Sequence, residues 1–245
     1  MALKIAIIIP AFNEQETIAK VVSEIIALNN SGNYQFDAIV INDCSTDNTP
    51  MIAEKLNCVL LDLPVNLGIG GAVQTGFKYA LENNYDYAIQ VDGDGQHPTS
   101  AIPKLLDKII NSNSDIVIGS RFIENTGFQS FYMRRVGIKF FRFLLKSLCG
   151  IKISDPTSGF RIINRKTLNI VNEYYPDEYP EPEALVIYKY YNLKISETPV
   201  QMEERKGGIS SIKGLLKLYY MFKVSLAIFF TFIKLKFNLW KISYL

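Results

Sequence analysis

Within the first 120 residues, apolar runs rich in isoleucine and valine alternate with stretches of helical periodicity. Lys4–Pro10, Phe36–Asp43, Cys58–Leu63, Tyr87–Asp92 and Ser114–Ser120 read as buried strands. Glu14–Leu28, Thr49–Leu56, Gly71–Asn83 and Thr99–Ile110 read as the helices between them. This β-α-β-α order specifies an α/β fold built on a doubly wound, mostly parallel sheet. Such sheets bind ligands beyond the carboxyl ends of their strands. A length of 245 residues and a hydrophobic content of 48% suffice for one large domain, or for one domain and an appendage.

Each strand ends in a cluster unlike its interior. The first ends in Pro10-Ala11-Phe12-Asn13-Glu14 and the second in Asn42-Asp43-Cys44-Ser45-Thr46-Asp47. Asn66-Leu67-Gly68-Ile69-Gly70-Gly71 follows the third, Asp92-Gly93-Asp94-Gly95-Gln96 the fourth and Gly119-Ser120-Arg121 the fifth. Such tips converging on one edge point to a nucleotide site. Asp92 and Asp94, two residues apart, project to one side of an extended backbone and, with Gln96, form an oxygen-rich grip suited to Mg²⁺ or Mn²⁺. Asp and Gly also dominate plain turns. A calcium loop is excluded, because counting from Asp92 places His97 where glycine is required and Pro103 where glutamate is required. A dinucleotide fingerprint after the first strand and a Gly-Lys-Ser/Thr phosphate loop are both missing.

The net charge of +2 conceals an asymmetry: residues 205–245 carry +8 with no acid, and residues 1–204 carry −6. The basic residues of the tail are interleaved with apolar stretches, which favours a membrane surface over nucleic acid. Arg135, Lys139, Arg142 and Lys146 recur at helical spacing beside Val136, Phe140, Phe143 and Leu144, as in a basic interfacial helix. An ordinary surface helix packed on the core has the same spacing. Residues 224–233 are uncharged but too few for a span of about 20 residues. A monotopic helix or shallow hairpin is expected there, ahead of a full span or a core helix. Three unpaired cysteines indicate a reducing compartment, one histidine excludes a multi-histidine metal centre, and the chain starts on a strand-like run without a secretory signal.

The motifs Pro10-Ala11-Phe12-Asn13-Glu14, Asp43/Ser45/Asp47/Thr49 and Asp92-x-Asp94-x-Gln96-His97-Pro98 resemble the family 2 glycosyltransferases. Gly119-Ser120-Arg121 and Asp155-Pro156-Thr157-Ser158-Gly159-Phe160-Arg161 resemble the branch that includes dolichol-phosphate mannosyltransferase and other polyprenyl-phosphate glycosyltransferases. The resemblance spans roughly residues 4–212. It implies a GT-A fold over residues 1–212, while the basic, apolar composition of 213–245 marks that stretch as a membrane-associated segment. It also implies an inverting, metal-dependent enzyme that moves a sugar from a UDP- or GDP-linked donor to a polyprenyl phosphate, at the cytoplasmic face of a membrane. Pro10, Phe12, Glu14, Asp43, Gly68 and Asp92 would line the nucleotide-sugar pocket. Asp92, Asp94 and Gln96 would hold the metal. Asp92, Asp94 and Arg121 would carry catalysis, and Arg121, Arg134 and Ser158 would seat the acceptor phosphate.

The chain departs from the family pattern at Asn42-Asp43-Cys44-Ser45, where Asp-Asp-Gly-Ser is usual. A polysaccharide-synthase Gln-x-x-Arg-Trp signature is excluded, since the only tryptophan is Trp240. A phosphate acceptor arrives ionised and needs no protein base, whereas a saccharide hydroxyl would need one, with Asp155 and Glu183 as candidates. A saccharide-acceptor transferase and a non-catalytic membrane scaffold are the alternatives. Residues 205–211 read as a mobile basic loop, and the resemblance implies that such a stretch can cover the donor. A sugar-nucleotide pyrophosphorylase is disfavoured by Ala11-Phe12-Asn13-Glu14, which stands where its basic glycine-rich loop belongs.

Overall fold

Strand β1 (Leu3–Ala11) pairs in parallel with β2 (Tyr34–Asn42) on one edge and β4 (Tyr87–Gln90) on the other. Strand β3 (Val59–Asp62) extends the sheet beyond β2, again in parallel. On the other side β6 (Arg161–Asn164) runs antiparallel between β4 and β5 (Ile116–Ser120), and β7 (Ile195–Pro199) closes the edge parallel to β5. The order is β3-β2-β1-β4-β6-β5-β7. The computed structural model describes residues 3–31, 34–124, 132–203 and 216–237, with the backbone alone at 30, 31, 132–134 and 216–218.

The five expected strands are present, and β6 and β7 are additional. Only four residues long, β6 has no readable period, and β7 is a half-buried edge of mostly polar sequence. The antiparallel β6 makes the sheet mixed rather than wholly wound in one direction.

Both faces of β1 are buried, which explains its unbroken apolar run. Ile5, Ile7 and Ile9 face one layer, with α1 (Ile18–Ala27) and α4 (Ile102–Ser112). Ala6 and Ile8 face the other, with α3 (Gly68–Glu82), α6 (Arg165–Glu173) and α7 (Pro180–Tyr190). A short helix, α2 (Thr49–Ala53), follows the tip of β2. Helix α1 starts later than the periodicity suggested, because the Glu14 carbonyl first accepts from the Thr17 and Ile18 amides in a separate turn.

Two long helices lie outside α7: α5 (Tyr132–Cys149) and α8 (Leu216–Lys236). Ile138, Phe141 and Leu145 of α5, and Val224, Ile228 and Leu235 of α8, join the same core cluster as the sheet. Helix α8 is thus one uninterrupted helix packed on the body, not a hairpin, and one face of it is core. Its other faces expose Tyr219, Phe222, Leu226, Phe229 and Phe230, and Phe237 just past its end is exposed as well. Helix α5 likewise exposes Val136, Phe140 and Phe143 beside Arg135, Lys139, Arg142 and Lys146. Among the described residues no helix is long and apolar enough to cross a membrane.

Gly76 sets the approach of α3 to the sheet. A β-carbon there would sit 2.3 Å from Ile8 Cγ2 and 3.0 Å from Ile41 Cδ1. Gly76→Ala should therefore destabilise the fold by about 1–3 kcal/mol through overpacking, read as a lowered denaturant midpoint at unchanged slope.

Candidate active site at the carboxyl edge of the sheet

The tips of β1 and β2 are stitched together side by side. Asn13, in the left-handed region at φ 57°, accepts the Thr46 amide at 2.8 Å and donates its own amide to Ser45 Oγ at 3.0 Å. The Gln15 amide donates to Asp47, which also accepts from the amide and hydroxyl of Thr49. Burial disfavours the Asp47 charge, but these hydrogen bonds outweigh it and hold its pKa below the ordinary value.

Asp43 is buried at the end of β2, where its Oδ1 accepts the Leu67 amide at 2.6 Å and its carbonyl accepts from Asn66 Nδ2 at 2.9 Å. The carboxylate thereby pins the loop leading into α3 through Oδ1, which leaves Oδ2 as a further acceptor. Asn42 sends Nδ2 to Asp62 Oδ1 at 2.6 Å, a contact that an aspartate at 42 would turn into repulsion. Cys44 adopts φ 60°, the backbone region for which glycine is the usual residue. Pro10 is buried, whereas Phe12 is 48% exposed at the rim and Glu14 is half-buried. Gly68 opens α3 at φ 75° and donates its amide to Asn66 Oδ1.

The acidic bend after β4 is tightly fixed. Gly93 donates to the Pro10 carbonyl, and Thr17 Oγ1 donates to the Gly93 carbonyl at 2.7 Å. Asp92 Oδ1 accepts from Gln90 Nε2 at 3.2 Å. The chain's single histidine also serves this bend. His97 Nδ1 accepts the Asp92 amide at 3.0 Å, which leaves the ring proton on Nε2, 3.5 Å from Asp92 Oδ2. The ring is buried and stacks on Phe160 with centroids 5.0 Å apart. Asp94 Oδ1 accepts the Gln96 amide at 3.0 Å, while the Gln96 carbonyl accepts from the Glu203 amide.

Arg121, at the end of β5, forms a fork on Asp155, with Nε–Oδ2 at 2.6 Å and Nη2–Oδ1 at 2.7 Å, and reaches Thr157 Oγ1 at 3.0 Å. Asp155 is fully buried, and Glu197 of β7 holds its loop through the Ser154 and Asp155 amides. This corrects the expectation for Asp155, since a buried carboxylate committed to a guanidinium is not placed to act as a base. Ser158 is also buried and donates its hydroxyl to the Gly119 carbonyl at 2.7 Å, so it shapes the loop rather than offering that proton to an acceptor. Arg121 retains Nη1 for further contacts. Arg134 belongs to α5, but its side chain lies outside the described residues, as does the loop 205–211.

Glu183 points away from the bend, accepting from Thr231 Oγ1 of α8 at 2.6 Å. The neighbouring Glu181 faces the bend instead. A β-carbon on Gly159 would lie 2.7 Å from Gln90 Nε2 and 3.4 Å from Glu181 Oε1, so this glycine lets the two side chains meet. Desolvation raises the Glu181 pKa, opposed by the Arg161 cation, helped by the nearby Asp92 charge and opposed by a hydrogen bond from Gln90. Gln90 therefore bridges Asp92 and Glu181. Arg161 is buried, donates to the Ser158 and Pro156 carbonyls, and has no partner for Nη1 among the described residues. The Glu-x-Glu pair at the start of α7 was visible in the sequence. Which of the two carboxylates turns inward depends on the placement of α7.

Among the described residues no three His, Cys, Asp or Glu side chains converge into a complete metal cage. Two carboxylates and an amide oxygen at Asp92, Asp94 and Gln96 nevertheless fit Mg²⁺ or Mn²⁺, which take one or two protein carboxylates and complete their shell with phosphates and water.

A mixed sheet in this order, with an acidic bend at its carboxyl edge, defines a GT-A-like α/β fold. Glucosyl-3-phosphoglycerate synthase from Mycobacterium tuberculosis, solved with Mn²⁺, UDP and glucosyl-3-phosphoglycerate, superposes with a TM-score of 0.71 at 20% identity, covering 95% of this chain and 80% of that one. The model for glycosyl transferase family 2 matches residues 6–170, and the chain belongs to that family of enzymes. It is 33% identical over 221 residues to a UDP-N-acetylglucosamine–dolichyl-phosphate N-acetylglucosaminyltransferase of Methanococcus voltae, covering 80% of this chain and 84% of that protein. It is 32% identical to a dolichol-phosphate mannosyltransferase of Pyrococcus furiosus, covering 89% of this chain and 62% of that protein.

Two predictions test this geometry. Arg121→Ala leaves Asp155 buried and unpaired, and should cost about 3–5 kcal/mol of stability, with Asp155→Asn added to it recovering much of the loss on chemical denaturation. Because the folded state holds the Glu181 proton to higher pH than the unfolded chain, this group's contribution to stability falls as pH rises from its unfolded pKa through its folded one. The stability of Glu181→Gln relative to the parent should therefore improve across that window, as measured by denaturation at a series of pH values.

Proposed function

We propose that this enzyme transfers a sugar from a UDP- or GDP-linked donor to a polyprenyl phosphate at the cytoplasmic face of a membrane, with inversion at the anomeric carbon. The observation that carries this reading is the likeness, over most of the chain, to transferases named for dolichyl-phosphate acceptors. The exposed aromatic and basic faces of α5 and α8 support a lipid-surface setting. In this reading 213–245 is a peripheral or monotopic membrane-associated segment, with α8 docked on the catalytic body.

Asp43 Oδ2 accepts from the base or ribose, with Pro10, Phe12, Glu14 and Gly68 around the nucleoside. Asp92, Asp94 and Gln96 would hold Mg²⁺ or Mn²⁺, which would supply positive charge against the departing diphosphate. His97 and Gln90 fix the orientation of Asp92, so the carboxylate needs little reorganisation during the reaction. Arg121 Nη1 and Arg134 seat the acceptor phosphate. A phosphate monoester has a second pKa near ~6, so the nucleophile is ionised at neutral pH. Glu181 bounds the sugar side of the pocket and is not needed as a base.

An assay offering several labelled nucleotide sugars with a polyprenyl phosphate, or with saccharides instead, tests the proposal. The expected product is a lipid-linked monosaccharide, lost on chelation and restored by Mn²⁺. Transfer to saccharides alone would overturn the acceptor. The absence of any metal-dependent thermal shift with UDP or GDP would favour the scaffold alternative. His97→Ala should weaken donor binding in the presence of Mn²⁺ by about 10–100-fold, measured by calorimetric titration.

A further inference from the structure

Behind Asp92 four side chains stand in a line that runs from a cation to the reacting edge. Arg161 is held by the Ser158 and Pro156 carbonyls and also hydrogen-bonds the buried Tyr188. Glu181 lies in the field of that guanidinium, and Gln90 stands between Glu181 and Asp92. Glu181 comes from the first turn of α7, Gln90 ends β4 and Arg161 begins β6. Three separate elements therefore meet beneath the acidic bend.

The contact at Gln90 has one chemical solution. Its buried Nε2 donates to Asp92 Oδ1 at 3.2 Å, and its side chain also hydrogen-bonds the Glu181 carboxylate. A primary amide nitrogen carries two donors, whereas a carboxylate only accepts. Two acids on one amide thus fix which end of it faces them, because a flipped amide would set Oε1 against both. Gly159 leaves the space for this meeting, since a methyl there would sit 2.7 Å from Nε2. Asp92 is then held from two sides, by Gln90 at Oδ1 and by His97 at its backbone amide.

We infer that Glu181 is a positioning residue for the acidic bend and acts through Gln90. By keeping the amide nitrogen turned toward Asp92, it fixes the rotamer that Asp92 presents to the metal and diphosphate. The inference rests on the reading that Asp92, Asp94 and Gln96 hold a divalent cation. It gives the first acid of the Glu-x-Glu start of α7 a task in the reaction that requires no contact with the acceptor. Groups that orient a metal-binding carboxylate from behind change metal affinity or activity by about 10–100-fold when removed. Glu181→Gln keeps the volume but adds a donor that competes for Gln90 Oε1, and an amide turned to meet it would place oxygen against Asp92 Oδ1.

Calorimetric titration of UDP and of GDP, with and without Mn²⁺, tests this in the absence of any acceptor. Glu181→Gln should weaken the Mn²⁺-dependent binding of whichever nucleotide the parent takes by about ten-fold. Metal-free binding of that nucleotide should stay at the parental value, which a merely structural role would not predict. Gln90→Met, of similar size but without an amide, should weaken Mn²⁺-dependent binding at least as much. The double variant should bind no more weakly than Gln90→Met alone, because Glu181 has no route to Asp92 once the amide is gone. Gly159→Ala, whose methyl displaces the Gln90 amide, takes the place of Gln90→Met in this cycle should that variant fail to fold. A silent Glu181→Gln, equal losses with and without Mn²⁺, or losses that multiply in the double variant overturn the relay and leave the metal assignment standing. A parent that binds neither nucleotide in a Mn²⁺-dependent way overturns both.

Discussion

Hydrogen bonding of β1 on both edges is the constraint on which the site depends. With β2 on one side and β4 on the other, all parallel, the residues after each strand emerge together at one edge. The faces of β1 are buried in two separate apolar layers, so a one-residue slip would exchange side chains between the layers and put an isoleucine in the place fitted to Ala6. The position of Pro10 relative to Asp43 and Asp92 is thus set by core packing rather than by the loops. The loops then tighten what the core has positioned, through Asn13 with Thr46 and Thr17 with the Gly93 carbonyl.

Buried charge on the other half of the edge is handled by pairing. Arg121 and Asp155 neutralise each other where β5 meets the loop before β6, and Glu197 secures that loop from β7. Arg161 and Glu181 form a looser couple beneath Asp92, with Gln90 between the two carboxylates. These pairs contribute little net stability relative to apolar residues of the same shape, but removal of one partner is costly. Their value lies in keeping the acidic bend surrounded by groups of fixed orientation. Electrostatic stabilisation of a departing diphosphate requires such preorganisation.

The outer helices serve both the core and the surface. A stripe of α8 completes the hydrophobic layer over α7, and its remaining aromatics face outward. Helix α5 divides in the same way, with Ile138, Phe141 and Leu145 inward and Phe140 and Phe143 outward. Glu183 hydrogen-bonded to Thr231, and Tyr179 edge-on to Tyr220 at 4.6 Å, tie α8 to the start of α7, the turn that also carries Glu181. A helix with an exposed aromatic face is therefore tied directly to the turn that carries Glu181.

Local patterning was enough to read β1 to β5, the helices between them and the acidic bend. Apolar periodicity and turn chemistry operate over a few residues, and the Asp-Gly-Asp grip needs only neighbours in sequence. Strand β6 escaped because four residues leave no period and its antiparallel direction depends on partners more than 40 residues away. The part played by His97 depends on its folding back onto the Asp92 amide and stacking on Phe160. Composition revealed the basic, aromatic character of the C-terminal region, but not that one face of α8 is core. The choice of Glu181 over Glu183, and the commitment of Asp155 to Arg121, were decided by tertiary structure alone. Which way a carboxylate points is set by the charges and cavities that distant segments bring beside it, and residue order does not encode those separations locally.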